Sequence, residues 1–187
     1  MVDLIAELRG MTNTSVDDYT INGSSWWTDD QLQTVLDNHR VEVVRDLLHH
    51  VDEYGAGGTL IVTRYYSRFG NYERTTGGSA IFVVQDSTYN TVGTALYTPG
   101  YARGEVIFSS NTSGYDYYLT GRSYDLNSAA ADVWDRKAAQ AAAGAYSWSS
   151  DNMRVDKGNV VKVYRDQARY YRGLSGPRVV DLDRSDT

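Results

Sequence analysis

The sequence contains no cysteine, only two prolines and only three phenylalanines among its 187 residues. Without cysteine the chain can form neither a disulfide framework nor a thiolate metal site. No stretch approaches the ~20 consecutive apolar residues that a membrane-spanning helix needs. Residues 1–11 carry Asp3, Glu7 and Arg9, and they lack the basic start and the apolar run of a signal peptide. We therefore expect a protein without a membrane segment that is not exported through a cleaved signal.

Tyrosine is the abundant aromatic residue, with 16 copies against three of phenylalanine. A tyrosine side chain has an apolar ring and a polar tip, so it suits half-hydrated surfaces and subunit interfaces better than a dry core. Two interpretations follow and both stay open: a tyrosine-rich sheet that faces solvent, or one that contacts other protein chains.

Charge is distributed unevenly along the chain, whose net charge is −6. Residues 1–57 carry 11 carboxylates against three arginines, a net −8, so the remaining residues sum to +2. Between 157 and 178 six basic residues oppose only Asp166. An acidic and a basic region on one chain suit head-to-tail packing of identical copies, although two ordinary solvated faces would look the same. The net acidity argues against a protein that grips duplex DNA with its whole surface.

Helical periodicity is clearest near the two ends of the sequence. Leu4, Ile5 and Leu8 predict a short helix that ends near Gly10. Thr28 is a good N-cap for a helix over 29–38, since two aspartates follow it in the first turn. Downstream, an alanine-rich pattern predicts a helix over 125–143, and a second pattern predicts one over about 157–172.

The middle of the chain is typical of β-structure. Residues 41–51 fit either a strand or a helix by period alone, and we favour a strand. From Gly58 to Arg122, β-branched and aromatic runs alternate with turn residues. The predicted strands are 59–68, 79–85, 94–97, 104–109 and 115–120. Residues 146–155 are expected to form an irregular or extended link.

These elements predict an α+β fold. The N- and C-terminal regions would form a helical bundle, with an antiparallel β-sheet or small sandwich inserted between them. The expected divisions are residues 1–57 and 122–174 for the helical core, 58–121 for the inserted β-region, and 175–187 for a C-terminal tail.

A search for catalytic residue patterns finds none. The three histidines, His39, His49 and His50, have no spacing typical of a zinc site. Neither a nucleophile-elbow GxSxG nor a phosphate-binding GxxxxGK[ST] is present. The adjacent acids 29–30 and 52–53 are explained by a helix start and a loop. We expect no catalytic residues, no metal and no cofactor, and predict that the protein is not an enzyme.

The pair Trp26-Trp27 could stack on a sugar or a base. It also lies just before the N-cap Thr28, where an apolar residue commonly packs back on the helix. We favour packing over stacking.

Four segments, in this order, resemble head–tail connector (adaptor) proteins of long-tailed bacteriophages. The residues WTDDQLQ at 27–33 and LDNHRV at 36–41 resemble their N-terminal helix, and YYSRFGNYE at 65–73 resembles a strand and turn of their β-region. The residues GRSYDLNSAAADVW at 121–134 are similar to the entry into their long alanine-rich helix, and KVYRDQARYYR at 162–172 to their last helix. The large β-region departs from the smallest, all-helical connectors.

The resemblance implies a structural subunit of the virion neck, assembled in the cytoplasm of the host bacterium. Such proteins form a homo-oligomeric ring of about twelve copies with cyclic symmetry. The ring lies under the portal protein, extends the DNA channel without reading its sequence, and receives a stopper or tail-terminator protein.

Two sets of contact residues follow as hypotheses. For contact with the portal or another partner we expect the last helix and the tail, namely Lys162, Arg165, Arg169, Arg172, Leu174, Arg178, Val179 and Val180. For contact between subunits of the ring we expect Trp134, Ala138, Tyr65, Tyr66 and Tyr117.

Alternative functions remain in the same setting. The chain could be a tail-terminator or tail-completion protein. It could also be a β-rich surface-binding protein of the virion, for decoration or receptor recognition, with a row of exposed aromatic residues at Tyr65, Tyr66, Tyr115, Tyr117 and Tyr118. An enzyme of unrecognised type is a third possibility.

Overall fold

The computed structural model describes residues 1–15, 20–21, 24–76, 79–143, 148–150, 153–155 and 158–176. Four α-helices and two larger antiparallel sheets make the chain a mixed α+β protein, as the sequence predicts. The contacts within the chain divide it into two units. We call residues 40–124 the β unit, and residues 2–39 together with 125–176 the helical unit.

Four helices build the helical unit: α1 (Val2–Thr12), α2 (Asp29–Asn38), α3 (Leu126–Ala143) and α4 (Gly158–Leu174). Helix α1 does not end near Gly10 but continues to Thr12. Thr12 is fully buried, and its hydroxyl donates a hydrogen bond back along the helix to the carbonyl of Leu8 at 2.7 Å. The two additional residues therefore bury a polar side chain that is satisfied within the helix.

Helix α2 has the predicted bounds, and its start explains why. The Thr28 hydroxyl accepts a hydrogen bond from the Gln31 backbone N–H, and the Gln31 side chain accepts one from the Thr28 N–H. This reciprocal capping box satisfies two helix-end donors. The next residue toward the N-terminus, Trp27, is 1% exposed, in agreement with a packing role rather than stacking on a ligand.

The strands are short. They are β1 (Thr20–Ile21), β2 (Ser24–Ser25), β3 (Arg40–Leu47), β4 (His49–Tyr54), β5 (Leu60–Tyr66), β6 (Thr75–Thr76), β7 (Ser79–Ala80), β8 (Val83–Gln85), β9 (Tyr97–Gly100), β10 (Glu105–Phe108), β11 (Tyr118–Tyr124), β12 (Trp148–Ser150) and β13 (Met153–Val155). One antiparallel sheet has the order β3-β11-β8, and the other has the order β4-β5-β10-β9. The pairs β1–β2, β6–β7 and β12–β13 form separate two-stranded ladders.

Strands β3 and β4 are separated by one residue, and they belong to different sheets: β3 to the sheet β3-β11-β8 and β4 to the sheet β4-β5-β10-β9. Leu48, between them, is 2% exposed and donates its backbone N–H to the Tyr117 carbonyl at 2.9 Å. Within β3 the register against β11 shifts at Arg45, whose φ of 53° is left-handed. Because 40–54 is strand, the boundary between the units falls after His39 and not after Gly57, and these residues leave the helical core in which we had placed them.

Several predicted strands have different bounds. Residues 94–96 form a 3₁₀ turn rather than a strand, and β9 then runs from Tyr97 through Pro99 to Gly100, beyond the predicted end at 97. Strand β9 lies at the edge of its sheet, where a residue without a backbone N–H is tolerated. The single strand predicted over 79–85 is instead the two short strands β7 and β8. The strand predicted over 115–120 begins later and ends later, as β11 (Tyr118–Tyr124). The range 146–155, predicted as a link, contains β12 and β13.

One apolar core joins the two larger sheets of the β unit. Its members are Val43, Leu48, Val62, Tyr65, Tyr72, Phe82, Val84, Tyr97, Val106, Phe108 and Leu119. Gly104 lies beside this core with φ +65°, and a Cβ at this position would stand 2.1 Å from the Phe69 carbonyl oxygen. Only glycine fits such a close approach of two backbones.

The described residues contain no helix whose length and hydropathy would let it cross a membrane.

Candidate interaction surfaces

Helix α4 carries three parallel stripes of side chains, each repeating at steps of three and four residues. The first stripe is the covered one and consists of Val161, Tyr164, Ala168 and Tyr171. Ala168 is 1% exposed, and the ring of Tyr164 packs on Trp134 of α3 at 5.3 Å between centroids. The Tyr171 hydroxyl donates to the Met11 carbonyl at 2.9 Å, which ties α4 to the end of α1. This stripe holds α4 in the helical unit.

The second stripe is basic and exposed. It consists of Lys162, Arg165, Arg169 and Arg172, all predicted as partner contacts. Two of them have acidic neighbours: Arg172 donates to Asp135 of α3 at 2.5 Å, and Arg169 donates to Asp166 at 3.1 Å. The bond to Asp135 raises the pKa of Arg172. The structure thus brings the four predicted cations together on one side of one helix.

The third stripe is mostly apolar and uncovered, with the exposed Gln167 between Val163 and Tyr170. Its apolar members are Val160, Val163, Tyr170 and Leu174, with exposures of 41%, 51%, 59% and 51%. Of these, only Leu174 was among the predicted contact residues. The spacing that groups them is visible in the sequence, but the covered stripe has the same spacing, so sequence alone does not reveal which of the two lies against α3. The predicted contacts Arg178, Val179 and Val180 lie outside the described residues.

Three residues predicted to contact neighbouring subunits are buried in the chain's own fold. Tyr65 is 0%, Ala138 3% and Trp134 8% exposed. Tyr65 packs edge-on against Phe108 at 5.4 Å in the β core, and Trp134 packs on α4. These side chains stabilise the single chain and are not offered to another copy, so this part of the hypothesis is wrong.

The other two predicted subunit contacts, Tyr66 and Tyr117, are half-buried. The Tyr66 hydroxyl donates to the Glu105 carboxylate at 2.9 Å. Burial, followed by this hydrogen bond and the nearby negative charge, raises the pKa of Tyr66. Tyr117 contacts the buried ring of Tyr65 at 5.3 Å. Since Tyr65 points into the core, the five tyrosines considered for surface binding do not form one exposed row.

A different aromatic group does reach the surface, on the outer side of the sheet β3-β11-β8. The Arg45 guanidinium lies 4.2 Å from the centre of the Tyr89 ring, which in turn packs on Tyr118 at 5.1 Å. Arg45 and Tyr89 both have left-handed backbones, with φ of 53° and 63°. Beside them Val44 is 72% exposed. The sequence contained no signal for this stack, because it depends on the bulge in β3.

Buried carboxylates in the β unit have structural partners. Asp46, 7% exposed, accepts from the Ser67 hydroxyl at 2.8 Å and pairs with Arg68 at 2.8 Å. The Tyr72 hydroxyl lies 2.7 Å from the same Ser67 oxygen, and burial strongly raises the pKa of Tyr72. This network joins β3 to the end of β5.

The histidines make isolated pairs. His39 Nε2 lies 2.8 Å from Asp132, where it connects α2 to α3, and His50 Nδ1 lies 2.7 Å from Asp52 on the same strand. Within the described parts of the chain, no group of three or more histidine, aspartate or glutamate side chains is arranged to hold a metal ion.

Comparison with known proteins returned no match: no family model, no curated protein and no solved structure is significantly similar to the chain.

Proposed function

We propose that this chain is a structural subunit of a bacteriophage neck. Copies of it would form a ring under the portal that extends the DNA channel and joins head to tail. In this proposal the helical unit is the connector core and the β unit is an insertion in it. The proposal rests first on the resemblance of the four sequence segments to head–tail connectors.

The observation that carries the proposal is the exposed basic stripe of α4. Lys162, Arg165, Arg169 and Arg172 lie within one of the four similar segments, residues 162–172, and are exposed along one side of the helix. A helix that is held by one stripe and exposes four cations on another has the form of a docking element. Arginine favours this role because its planar guanidinium binds carboxylates in a bidentate manner.

The other three segments fall at structural boundaries. Residues 27–41 contain the capping box, all of α2 and the first residues of β3, so they include the boundary at 39/40. Residues 121–134 contain the end of β11 and the start of α3, and include the boundary at 124/125. Residues 65–73 contain the end of β5 and the Ser67 network. The similarity therefore concentrates on residues that set the chain path rather than on isolated surface positions.

The charge distribution agrees with a DNA passage. Helices α1 and α2 carry five carboxylates and one arginine. Carboxylates that line a channel repel phosphates and would let DNA pass without binding it.

Electron microscopy of the purified protein, alone and with the portal protein of the same virus, tests this function. We expect annular particles with a central hole, and binding of these particles to the portal. Replacing Lys162, Arg165 and Arg169 by glutamine should abolish portal binding but not the fold, because all three side chains are exposed. Solitary subunits in both samples would contradict the proposal. If rings lie at the tail end rather than under the portal, the chain is a tail-terminator or tail-completion protein.

A second candidate function is surface binding by the β unit. The stack of Arg45 on Tyr89, with Val44 exposed beside it, favours this possibility, since arginine and tyrosine are enriched at binding hot spots. A glycan array, with the Tyr89→Ala variant as control, tests it: binding that is lost in the variant supports a decoration or receptor-recognition protein.

A further inference from the structure

Arg45 is a cation whose guanidinium is held in place but not neutralised. It lies 4.2 Å from the centre of the Tyr89 ring. Among the described residues the guanidinium makes no hydrogen bond and no ion pair, since the bond to the Thr120 hydroxyl comes from the Arg45 backbone N–H. The ring contacts a face of the guanidinium, so the N–H donors along its edge are available to an anionic group.

Hydrogen bonds fix the loop on which this arginine lies. Gln85 Nε2 donates to the Tyr89 carbonyl at 2.9 Å, and Gln85 Oε1 accepts from the Thr120 hydroxyl at 3.1 Å. Arg45 and Tyr89 both keep left-handed backbones, a strained conformation that concentrates at binding sites when the surrounding structure maintains it. The arrangement is therefore formed before any ligand arrives, which lowers the entropic cost of binding.

Asp86, the carboxylate of the same loop, is engaged by its own backbone turn. The Thr88 hydroxyl and the Asn90 N–H donate to its Oδ1 at 2.7 and 2.9 Å, and these bonds lower the pKa of Asp86. No ion pair joins this carboxylate to Arg45 in the described part of the chain. The positive charge of Arg45 thus requires a partner from elsewhere.

Aliphatic side chains border the guanidinium on β3. Val44 is 72% exposed and Leu47 is 42% exposed. We call Val44, Arg45, Leu47 and Tyr89 the Arg45 platform. An available cation beside exposed aliphatic groups is complementary to a protein segment in which carboxylates alternate with aliphatic residues.

Residues 179–183 of this chain have that pattern. Their sequence, VVDLD, contains three aliphatic residues, two carboxylates and no cation, and it lies beyond the described residues, which end at 176. In an extended segment the side chains of residues 179, 181 and 183 lie on one side. Val179 and both aspartates would therefore face the same surface, where a carboxylate can bind a guanidinium in a bidentate manner.

We propose that residues 179–183 bind the Arg45 platform, with Asp181 on the guanidinium and Val179 against Val44. This contact goes beyond the proposed ring and does not depend on it. It gives Val179 a partner other than the portal, and it leaves the basic stripe of α4 available for portal binding.

Disulfide trapping in the full-length chain tests the contact, because the chain contains no cysteine. The double variant Val44→Cys/Val179→Cys should cross-link under mild oxidation, within one chain or between two, since the bound segment is the same. The matched control is Tyr115→Cys/Val179→Cys, at a position outside the platform that is 70% exposed. We expect the first pair to cross-link roughly tenfold faster in non-reducing electrophoresis, because binding raises the effective concentration of the two thiols.

The charge contact is tested in the Val44→Cys/Val179→Cys background. Adding Arg45→Gln or Asp181→Asn should slow the cross-link by roughly tenfold, because either change removes a charge-assisted pair. Arg103→Gln removes an exposed arginine between β9 and β10 and should leave the rate unchanged. Urea midpoints establish that each variant is folded.

The outcomes separate this proposal from the proposed function. Equal rates for the two cysteine pairs overturn it, and so does a rate that Arg45→Gln leaves unchanged. Glycan binding that is lost in Tyr89→Ala would also overturn it, because the platform would then serve an external ligand. None of these results bears on the annular particles expected in electron microscopy, which test the ring by themselves.

Discussion

Tyr65, which we first assigned to the subunit interface, instead serves the stability of the β unit. Its hydroxyl lies 2.9 Å from the Tyr115 carbonyl oxygen and 2.6 Å from the Thr112 hydroxyl, and the Thr112 hydroxyl lies 2.8 Å from the Val62 carbonyl oxygen. These three oxygen–oxygen contacts share only two hydroxyl hydrogens, one from Tyr65 and one from Thr112. The substitution Tyr65→Phe removes one hydrogen and one oxygen and keeps the ring.

The size of the effect follows from what the substitution leaves behind. The edge-on contacts of the ring with Phe108 and Tyr117 are retained, so little packing energy is lost. The remaining hydroxyl of Thr112 cannot donate to both the Tyr115 and the Val62 carbonyl. The Val62 carbonyl also accepts the Thr112 backbone N–H at 2.9 Å, so the acceptor that loses its donor is the part-buried Tyr115 carbonyl, which costs about 1 kcal/mol.

Urea unfolding of Tyr65→Phe, followed by tryptophan fluorescence, measures this loss as a lower midpoint at constant slope. The matched control is Tyr115→Phe, whose side chain is 70% exposed and which should change the free energy of unfolding by less than about 0.5 kcal/mol. If the two variants unfold at the same urea concentration, the assignment of Tyr65 to the core is refuted. The fraction of the folded variant that assembles should equal that of the wild-type chain.

Three further predictions concern the fold. Gly104→Ala should destabilise the β unit by about 3 kcal/mol or more, because it combines a left-handed backbone with a contact at 2.1 Å; a stable variant in thermal unfolding would contradict this. Thr28→Ala removes one half of the capping box of α2 and should cost about 1 kcal/mol, whereas Thr28→Ser should restore it. Burial raises the pKa of Tyr72 above its ordinary value of 10.0, so its contribution to stability is complete below pH 10 and decreases as the pH rises further; urea midpoints between pH 8 and 11 should fall at the alkaline end, and less so in Tyr72→Phe.

Local signals in the sequence predicted the helices well. Helix α2 matches its predicted bounds because Thr28, two aspartates and Gln31 set its start within four consecutive residues. Helix α3 was predicted within one residue at its start, since alanine periodicity extends along it. The exposed cations of α4 were also identified, because their spacing is regular.

Features that depend on distant residues were not predicted. Whether Tyr65 or Tyr66 faces the core is decided by the register of β5 against β10, and a shift of one residue exchanges the two faces. Strand β9 runs through Pro99 only because no strand pairs with its outer edge in the described structure. The stack of Arg45 on Tyr89 depends on a bulge opposite Thr120, whose hydroxyl accepts the Arg45 N–H at 3.1 Å. The residues next to each of these contacts in the sequence do not indicate that the contact forms.

The split of the helical unit between residues 2–39 and 125–176 has a consequence during biosynthesis. The β unit is one uninterrupted stretch, residues 40–124, so all of it has been translated before α3. Helices α1 and α2, although made first, must wait for α3 and α4 before their apolar sides are covered. An exposed apolar helix face promotes premature association. The nascent chain is therefore most prone to aggregation at α1 and α2, the helices that are translated first. Slower translation of α3 should increase the fraction of chains that aggregate.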